Sequence, residues 1–176
     1  THDTGVHLGG SPLATKCTPP PCVSESIERM GPARALLHGK IINDLLDGAT
    51  PPPTVTLLGG GGGAGKSTVV KKFGIGPNEK TINSDDIKEK IPEYAALQKS
   101  KDPSAAAFVH EESSQIYRVT QRAARYAHVG VTLDQTGANV KTVKSQITEF
   151  LAAGYEHIDA VYVTIPNSGN GAYEGV

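Results

Sequence analysis

The sequence predicts an α/β protein, a three-layer sandwich built around a mostly parallel central sheet. Two observations carry this expectation. From residue 31 onward, short β-rich runs alternate with helical stretches, so each strand reaches the next through a helical crossover. In addition, a glycine-rich loop that includes five consecutive glycines, residues 59–63, stands without a gap between one such run and a helix.

Composition narrows the class further. The chain has 176 residues, with 17 Lys+Arg against 18 Asp+Glu and a formal net charge of −1. That length suits one domain, with or without an ordered extension. Near-neutral charge argues against a nucleic-acid binder that relies on a strongly basic face. Two cysteines are too few for a disulfide scaffold or an all-cysteine zinc site. No apolar run reaches membrane-spanning length, and no charged segment precedes a signal-like apolar stretch, so no membrane role and a cytoplasmic location are expected. The apolar share of 38% is low. Part of the deficit is local, because 8 of the 12 prolines fall within the first 53 residues. Starting at Thr1, the chain reads as a processed product or a fragment.

The elements follow in order. Residues 1–30 read as a Pro/Gly-rich arm or linker without periodicity, in which Cys17 and Cys22 bracket a proline-rich loop and His2 and His7 are solvated. Pro32 suits a helix start, and Leu37, Ile41 and Leu45 recur at four-residue steps until Gly48 and Pro51–Pro53 end the helix. Residues 54–58 read as a buried strand. Residues 67–73 read as a helix, 80–83 as a strand, and 86–91 as a helical turn closed by Pro92. Asp102-Pro103 opens a long helix that runs toward Ala127 with Phe108, Ile116, Val119 and Ala123 on one face. Residues 129–134 form the next strand. Val140, Val143, Ile147 and Leu151 mark one face of a further helix, which Gly154 ends. The last strand is 158–165, and residues 167–176 look like an irregular tail. The domain is therefore placed at residues 31–166.

Gly60, Gly61, Gly62, Gly63, Ala64, Gly65, Lys66, Ser67 and Thr68 match the pattern G-x-x-x-x-G-K-S/T, with a strand before it and a helix after it. Glycines let the backbone curl so that successive N–H groups point at phosphate oxygens, and the helix N-terminus adds partial positive charge there. Lys66 can bridge the β- and γ-phosphates, and the Ser67 hydroxyl can bind Mg²⁺. The fold expectation is thus of the P-loop NTPase type, and ATP or GTP is the expected co-substrate. Asp134-Gln-Thr-Gly137 mimics a GTPase motif, yet no N-K-x-D guanine-reading motif follows. A kinase instead needs a carboxylate near the γ-phosphate to take the proton of an acceptor hydroxyl. Asp85, just past the second strand, meets that need. Asp85 and Asp86 open a helix, and either can serve as its cap. Asp134, at the end of another strand, can bind acceptor hydroxyls or a Mg²⁺-bound water, or make an Asx-turn.

At these residues the sequence resembles the zeta toxin family of P-loop kinases. The matching stretches are VTLLGGGGGAGKST at 55–68, NSDDIKEKIPEY at 83–94, HEESS at 110–114 and LDQTG at 133–137, followed by Gly154-Tyr155 and VTIP at 163–166. The helix holding Arg34, His38, Ile41 and Ile42 is also similar to one that precedes the P-loop in longer members. The resemblance implies transfer of the γ-phosphate of ATP or GTP, with Mg²⁺, to a hydroxyl of a nucleotide sugar such as UDP-N-acetylglucosamine. It implies Asp85 and Lys66 as the catalytic pair and Asp134 and Thr136 as acceptor contacts. The family's other acidic contact aligns with Thr120, with Glu111 or Glu112 placed to substitute; Glu112 is taken as the third acceptor contact. It further implies a small antitoxin protein as a partner.

The family pattern continues into a lid that bears arginines, and nothing after Pro166 is Arg or Lys. Arg118, Arg122 and Arg125 on the long helix read as a solvated face. Two other readings therefore stand beside the kinase. One is a weakly active or inactive nucleotide-binding module with a structural or interaction role in a larger protein. The other is a P-loop kinase for another small molecule or a polynucleotide end.

Overall fold

The computed structural model describes residues 31–165. The arm with Cys17, Cys22, His2 and His7, and the tail, lie outside the described residues. Helix α1, Pro32–Leu46, begins with proline in its first turn, where a missing N–H is harmless. Its Ile41 and Leu45 are buried. Strand β1, Thr54–Gly59, follows, and its Val55, Leu57 and Leu58 are buried. Helix α2, Lys66–Phe73, leads to β2, Lys80–Asn83. Four helices then intervene: α3 (Ser84–Glu89), α4 (Pro92–Lys99), α5 (Ala105–Phe108) and α6 (His110–Ala127). Strand β3, Val131–Asp134, helix α7, Val140–Ala152, and strand β4, His157–Tyr162, complete the order.

The four strands form one all-parallel sheet in the order β2-β3-β1-β4. Val55 of β1 sits opposite Val131 of β3 and Ile158 of β4, and Lys80 of β2 is also opposite Val131. The crossover from β1 to β2 runs in one direction along the sheet, and those from β2 to β3 and β3 to β4 run in the other. Right-handed crossovers then place α2 on one face and α6 and α7 on the other. This is the expected three-layer sandwich, with β1 at the point where the winding reverses.

Two apolar clusters hold the sheet to α6 and α7 and the helices of that face to one another; neither includes a residue of α2, which has none buried. The first joins Val55, Leu57, Ile82, Val131 and Leu133 of the sheet to Ala124, Phe150 and Tyr155. Phe150 and Tyr155 meet edge to face at 4.8 Å. The second joins Ile41 and Leu45 of α1 to Ile87, Ile91, Val109 and Ile116.

Local differences from the sequence expectation have physical causes. Pro92 closes no helix; it opens α4 from the first-turn position, the one place in a helix where proline fits without loss. The long helix expected from Asp102 is broken at Val109, so that α5 and α6 are separate. The buried stripe of α6 runs through Ile116, Thr120 and Ala124, a strict four-residue line, and leaves Val119 and Ala123 only half-buried. On α7, Gln146 and Phe150 are buried while Val140 and Leu151 are exposed, because Phe150 docks on Tyr155. The last strand stops at Tyr162, short of the expected residue 165.

Candidate nucleotide site

The carboxyl ends of β1, β2 and β3 converge beside the glycine-rich loop, the crevice where ligands bind in open parallel sheets. Strand β1 delivers the chain into the loop, and the loop is pinned on both sides. The Gly60 N–H donates to the Thr136 carbonyl at 3.0 Å, and the Val163 N–H donates to the Gly59 carbonyl at 2.9 Å. Gly60 has φ 143°, and a Cβ there would lie 2.6 Å from the Val163 carbonyl oxygen, so only glycine fits. Gly65 ends the loop at φ 83° and starts α2 without a side-chain cap. The first N–H groups of α2 have no intrahelical acceptor and carry the positive end of the helix dipole.

Lys66, the first residue of α2, turns back into this crevice. Its Nζ donates to the Gly60 carbonyl at 2.7 Å and lies 3.1 Å from Oδ1 of Asp134. Both side chains are largely buried. The other oxygen of Asp134 accepts from Nδ2 of Asn83 at 3.3 Å. Asn83 in turn caps α3, its Oδ1 accepting from the Asp85 N–H at 2.8 Å. A single chain of polar contacts thus runs from the glycine loop through Lys66, Asp134 and Asn83 to the start of α3.

Asp85 and Asp86 lie in the first turn of α3, but Asn83 performs the capping. The Asp85 carboxylate is therefore spared from capping; it projects outward, 77% exposed, with Oδ1 3.1 Å from Nζ of Lys88. Ser67 and Thr68 are exposed on α2. Thr136 is exposed on the loop after β3, where its backbone carbonyl supports Gly60.

Glu112 is the residue that the structure sets apart. It was expected to contact the acceptor, yet it is fully buried among α1, α4 and α6. Its carboxylate accepts from Nε and Nη2 of Arg34, each at 2.6 Å, and lies 2.7 Å from Nε2 of His38. Arg34 Nη2 also lies 3.0 Å from both oxygens of Glu93 and donates to Oε2. Burial alone would raise the Glu112 carboxyl, but hydrogen bonds from His38 and Arg34 and the Arg34 charge hold it down at about 2. The Arg34 guanidinium is pushed up despite burial by the same two carboxylates. Thr120 is equally withdrawn, its buried hydroxyl donating to the Ile116 carbonyl at 2.8 Å.

Asn83 is the member that the sequence argument missed. The signal was present, since Asn immediately before Ser-Asp-Asp is a strong N-cap pattern. Tyr117 was also missed. Its hydroxyl is buried without a hydrogen-bond partner among the described residues, and burial and the Asp134 charge both push its pKa upward.

No group of three or more His, Cys, Asp or Glu side chains suited to a metal occurs among the described residues. Mg²⁺ fits the crevice in another way, because it takes few protein ligands and keeps water and phosphate oxygens. The Ser67 hydroxyl and the Asp134 carboxylate are hard oxygen donors of the kind it accepts.

A β-strand, a glycine loop closed by Gly-Lys-Ser, and a helix at the reversal point of a parallel sheet define a P-loop NTPase-type domain. The chain belongs to the zeta toxin family, whose model, described as Zeta toxin, matches residues 43–172. Among solved structures it is similar to one from the PezAT chromosomal toxin-antitoxin system of the human pathogen Streptococcus pneumoniae. That likeness has a TM-score of 0.61 at 20% identity, and covers 73% of this chain and 55% of the other. It is also similar to the crystal structure of AvrRxo1-ORF1:-ORF2 with ATP, with a TM-score of 0.59 at 19% identity, covering 84% of this chain and 51% of that one. The chain thus spans about half the length of either structure. No curated protein sequence gives a significant match.

Proposed function

We propose that the protein is a nucleotide-dependent kinase, with the triphosphate held by the loop Gly60–Thr68 and the acceptor hydroxyl presented toward Asp85. The observation that carries this reading is the placement of Lys66 Nζ between the Gly60 carbonyl and Asp134, at 2.7 and 3.1 Å, on the strand-end side that also bears Asp85. ATP is the proposed co-substrate, supported by the ATP-bound structural neighbour; GTP is the alternative. Bound Mg²⁺ would neutralise phosphate charge, with Ser67 and Asp134 as its proposed supports.

The residues divide the work. Loop N–H groups and the start of α2 bind phosphate oxygens, and Lys66 offsets the charge on the transferring group. Asp85, free of capping duty and open to solvent, accepts the proton of the attacking hydroxyl. Asp134 and Thr136 orient the acceptor. A nucleotide sugar such as UDP-N-acetylglucosamine is the proposed acceptor on family grounds, and a protein antitoxin covering the nucleotide crevice is the proposed partner. No helix among the described residues is long and apolar enough to cross a membrane.

The test is transfer from [γ-³²P]ATP with Mg²⁺ to a panel of nucleotide sugars, read by mass shift of the product. Asp85→Asn should lower turnover about 10²- to 10⁴-fold while nucleotide affinity stays within about twofold. Retained turnover in that variant would remove Asp85 from the role. Nucleotide binding with no transfer by the unaltered chain to any acceptor would replace the kinase by a binding module.

A further inference from the structure

The arginines of α6 do not face the nucleotide crevice. With α7 they form a separate groove of about 440 Å³, lined by Arg118, Arg122 and Arg125 of α6 and by Lys141, Thr142 and Ser145 of α7. Four cations therefore stand in one groove, and Glu149 is the one carboxylate lining it. This is an unusual concentration in a chain whose formal net charge is −1.

Local contacts leave most of that charge uncompensated. Arg118 Nη2 donates to the neutral Oε1 of Gln115 at 2.9 Å. Arg125 is fixed in place: its Nη2 lies 2.8 Å from Glu149, and its guanidinium stacks 5.2 Å from the Phe150 ring centre. Its Nη1 is buried with no acceptor among the described residues. Arg122 and Lys141 are exposed, and neither makes an ion pair among the described residues. Thr142 sits in the first turn of α7, where the helix dipole adds positive potential.

We propose that this groove is a second anion site, distinct from the glycine loop, which takes a small polyphosphate-bearing molecule such as a diphosphate or a free nucleotide. Guanidinium forks bind phosphate oxygens in pairs, and the Thr142 hydroxyl supplies a further donor, whereas the Ser145 hydroxyl donates to Glu149 Oε1 at 3.3 Å. The volume suits a ligand of that size. The groove is short and bounded by two helices, and the chain has no net basic charge, which favours a small anion over a nucleic acid.

The groove also has a physical link to the crevice. Gln146 on its wall donates from Nε2 to Gln121 Oε1 at 3.2 Å and to Gln135 Oε1 at 2.9 Å, and Gln135 directly follows Asp134. An anion that draws on the Gln121 or Gln146 amides therefore acts on Gln135, which stands between Asp134 at the end of β3 and Thr136 on the loop after it. The site stands on its own geometry and does not depend on the kinase reading.

The experiment is a titration of the ¹⁵N-labelled full chain with inorganic pyrophosphate at constant ionic strength. Side-chain signals of Arg122, Arg125, Gln121 and Gln146 are followed separately from the backbone amides of Gly62, Gly63 and Gly65. Saturable shifts are expected in the arginine and glutamine signals as well as in the loop. Arg118→Gln with Arg122→Gln removes two exposed cations, so folding is preserved and is checked by Tm. Affinity at the groove should fall roughly tenfold or more in that variant, while the response of the loop glycines is unchanged. Shifts confined to the loop glycines, or an unchanged groove affinity in the double variant, would overturn the proposal. So would binding of a single-stranded oligonucleotide through Arg118 and Arg122 without binding of pyrophosphate, which would make the groove a nucleic-acid surface.

Discussion

Replacing Arg34 with Met tests what the buried charge cluster does. Methionine approximates the volume of the arginine stem, so the perturbation is mainly electrostatic. It leaves Glu112, fully buried, and Glu93, 6% exposed, without the guanidinium that both contact. Breaking a buried pair from one side costs about 3–5 kcal/mol. The ionisation of Glu112 gives an independent figure. The gap between about 2 in the folded chain and the ordinary 4.5 corresponds to roughly 3 kcal/mol for the whole set of partners. The two figures agree in order of magnitude. For a domain of this size a loss of about 3 kcal/mol lowers Tm by roughly 10 °C.

The pH dependence separates charge from packing. In the unaltered chain the Glu112 pKa is depressed, so its stabilisation is complete above about 4.5 and is lost as pH falls toward about 2. Without Arg34, burial is opposed by His38 alone, so the Glu112 carboxyl moves up from about 2 and its protonation relieves the strain. The deficit of the variant should therefore be largest near pH 7 and shrink below about pH 5. Urea unfolding followed by far-UV circular dichroism at pH 4.5 and pH 7.5 measures both values. A deficit below about 1 kcal/mol at pH 7.5, or one equal at the two pH values, refutes the reasoning.

Four further substitutions probe the core and the loop. Gly60→Ala forces a Cβ to within 2.6 Å of the Val163 carbonyl at φ 143°, so nucleotide affinity measured by calorimetry should fall more than about tenfold and stability by about 1–3 kcal/mol. Gly62→Ala meets nothing within 4 Å and should leave Tm nearly unchanged. Tyr155→Phe removes the hydroxyl that serves the Ala124 and Val129 carbonyls at 2.9 and 2.7 Å, which should cost about 1–2 kcal/mol in urea unfolding. Tyr117→Phe should do the opposite, because that hydroxyl is buried with no hydrogen-bond partner among the described residues; a small rise in Tm is expected.

How much of this was legible depends on the range of the interaction. The loop was readable because its requirement is local: glycines where the backbone must turn, Lys-Ser at the helix start, and an apolar strand before it. The strand order β2-β3-β1-β4 follows from right-handed crossovers only once the pairings are known, and no residue announces them. Glu112 shows the limit most clearly. Two residues after the start of α6, a glutamate reads as a solvent-facing or ligand-facing group. What buries it is an arginine 78 positions earlier on α1. The Arg34 helix was visible as a resemblance, but no local pattern says that Arg34 and Glu112 meet. Pro92 was misread for the opposite reason. Its local chemistry permits both ending one helix and starting another, and the packing of Ile87 and Ile91 in one cluster decides for the second.

The same distinction bears on the crevice itself. Asp134 does not compete with a phosphate for Lys66, and the ion pair is no obstacle to binding. An ammonium group has three N–H donors; one serves the Gly60 carbonyl and one serves Asp134. The third remains for a phosphate oxygen without either contact being broken. Asp134 in turn keeps its second oxygen on Asn83, whose other amide atom holds the Asp85 N–H. Lys66 is thus aimed by two fixed acceptors on different segments, the loop and the end of β3. The α3 turn that carries Asp85 is fastened to the same carboxylate. A change at Asp134 therefore acts on both ends of the proposed transfer, the lysine that meets the phosphate and the turn that bears the base, whereas a change at Asp85 acts on one.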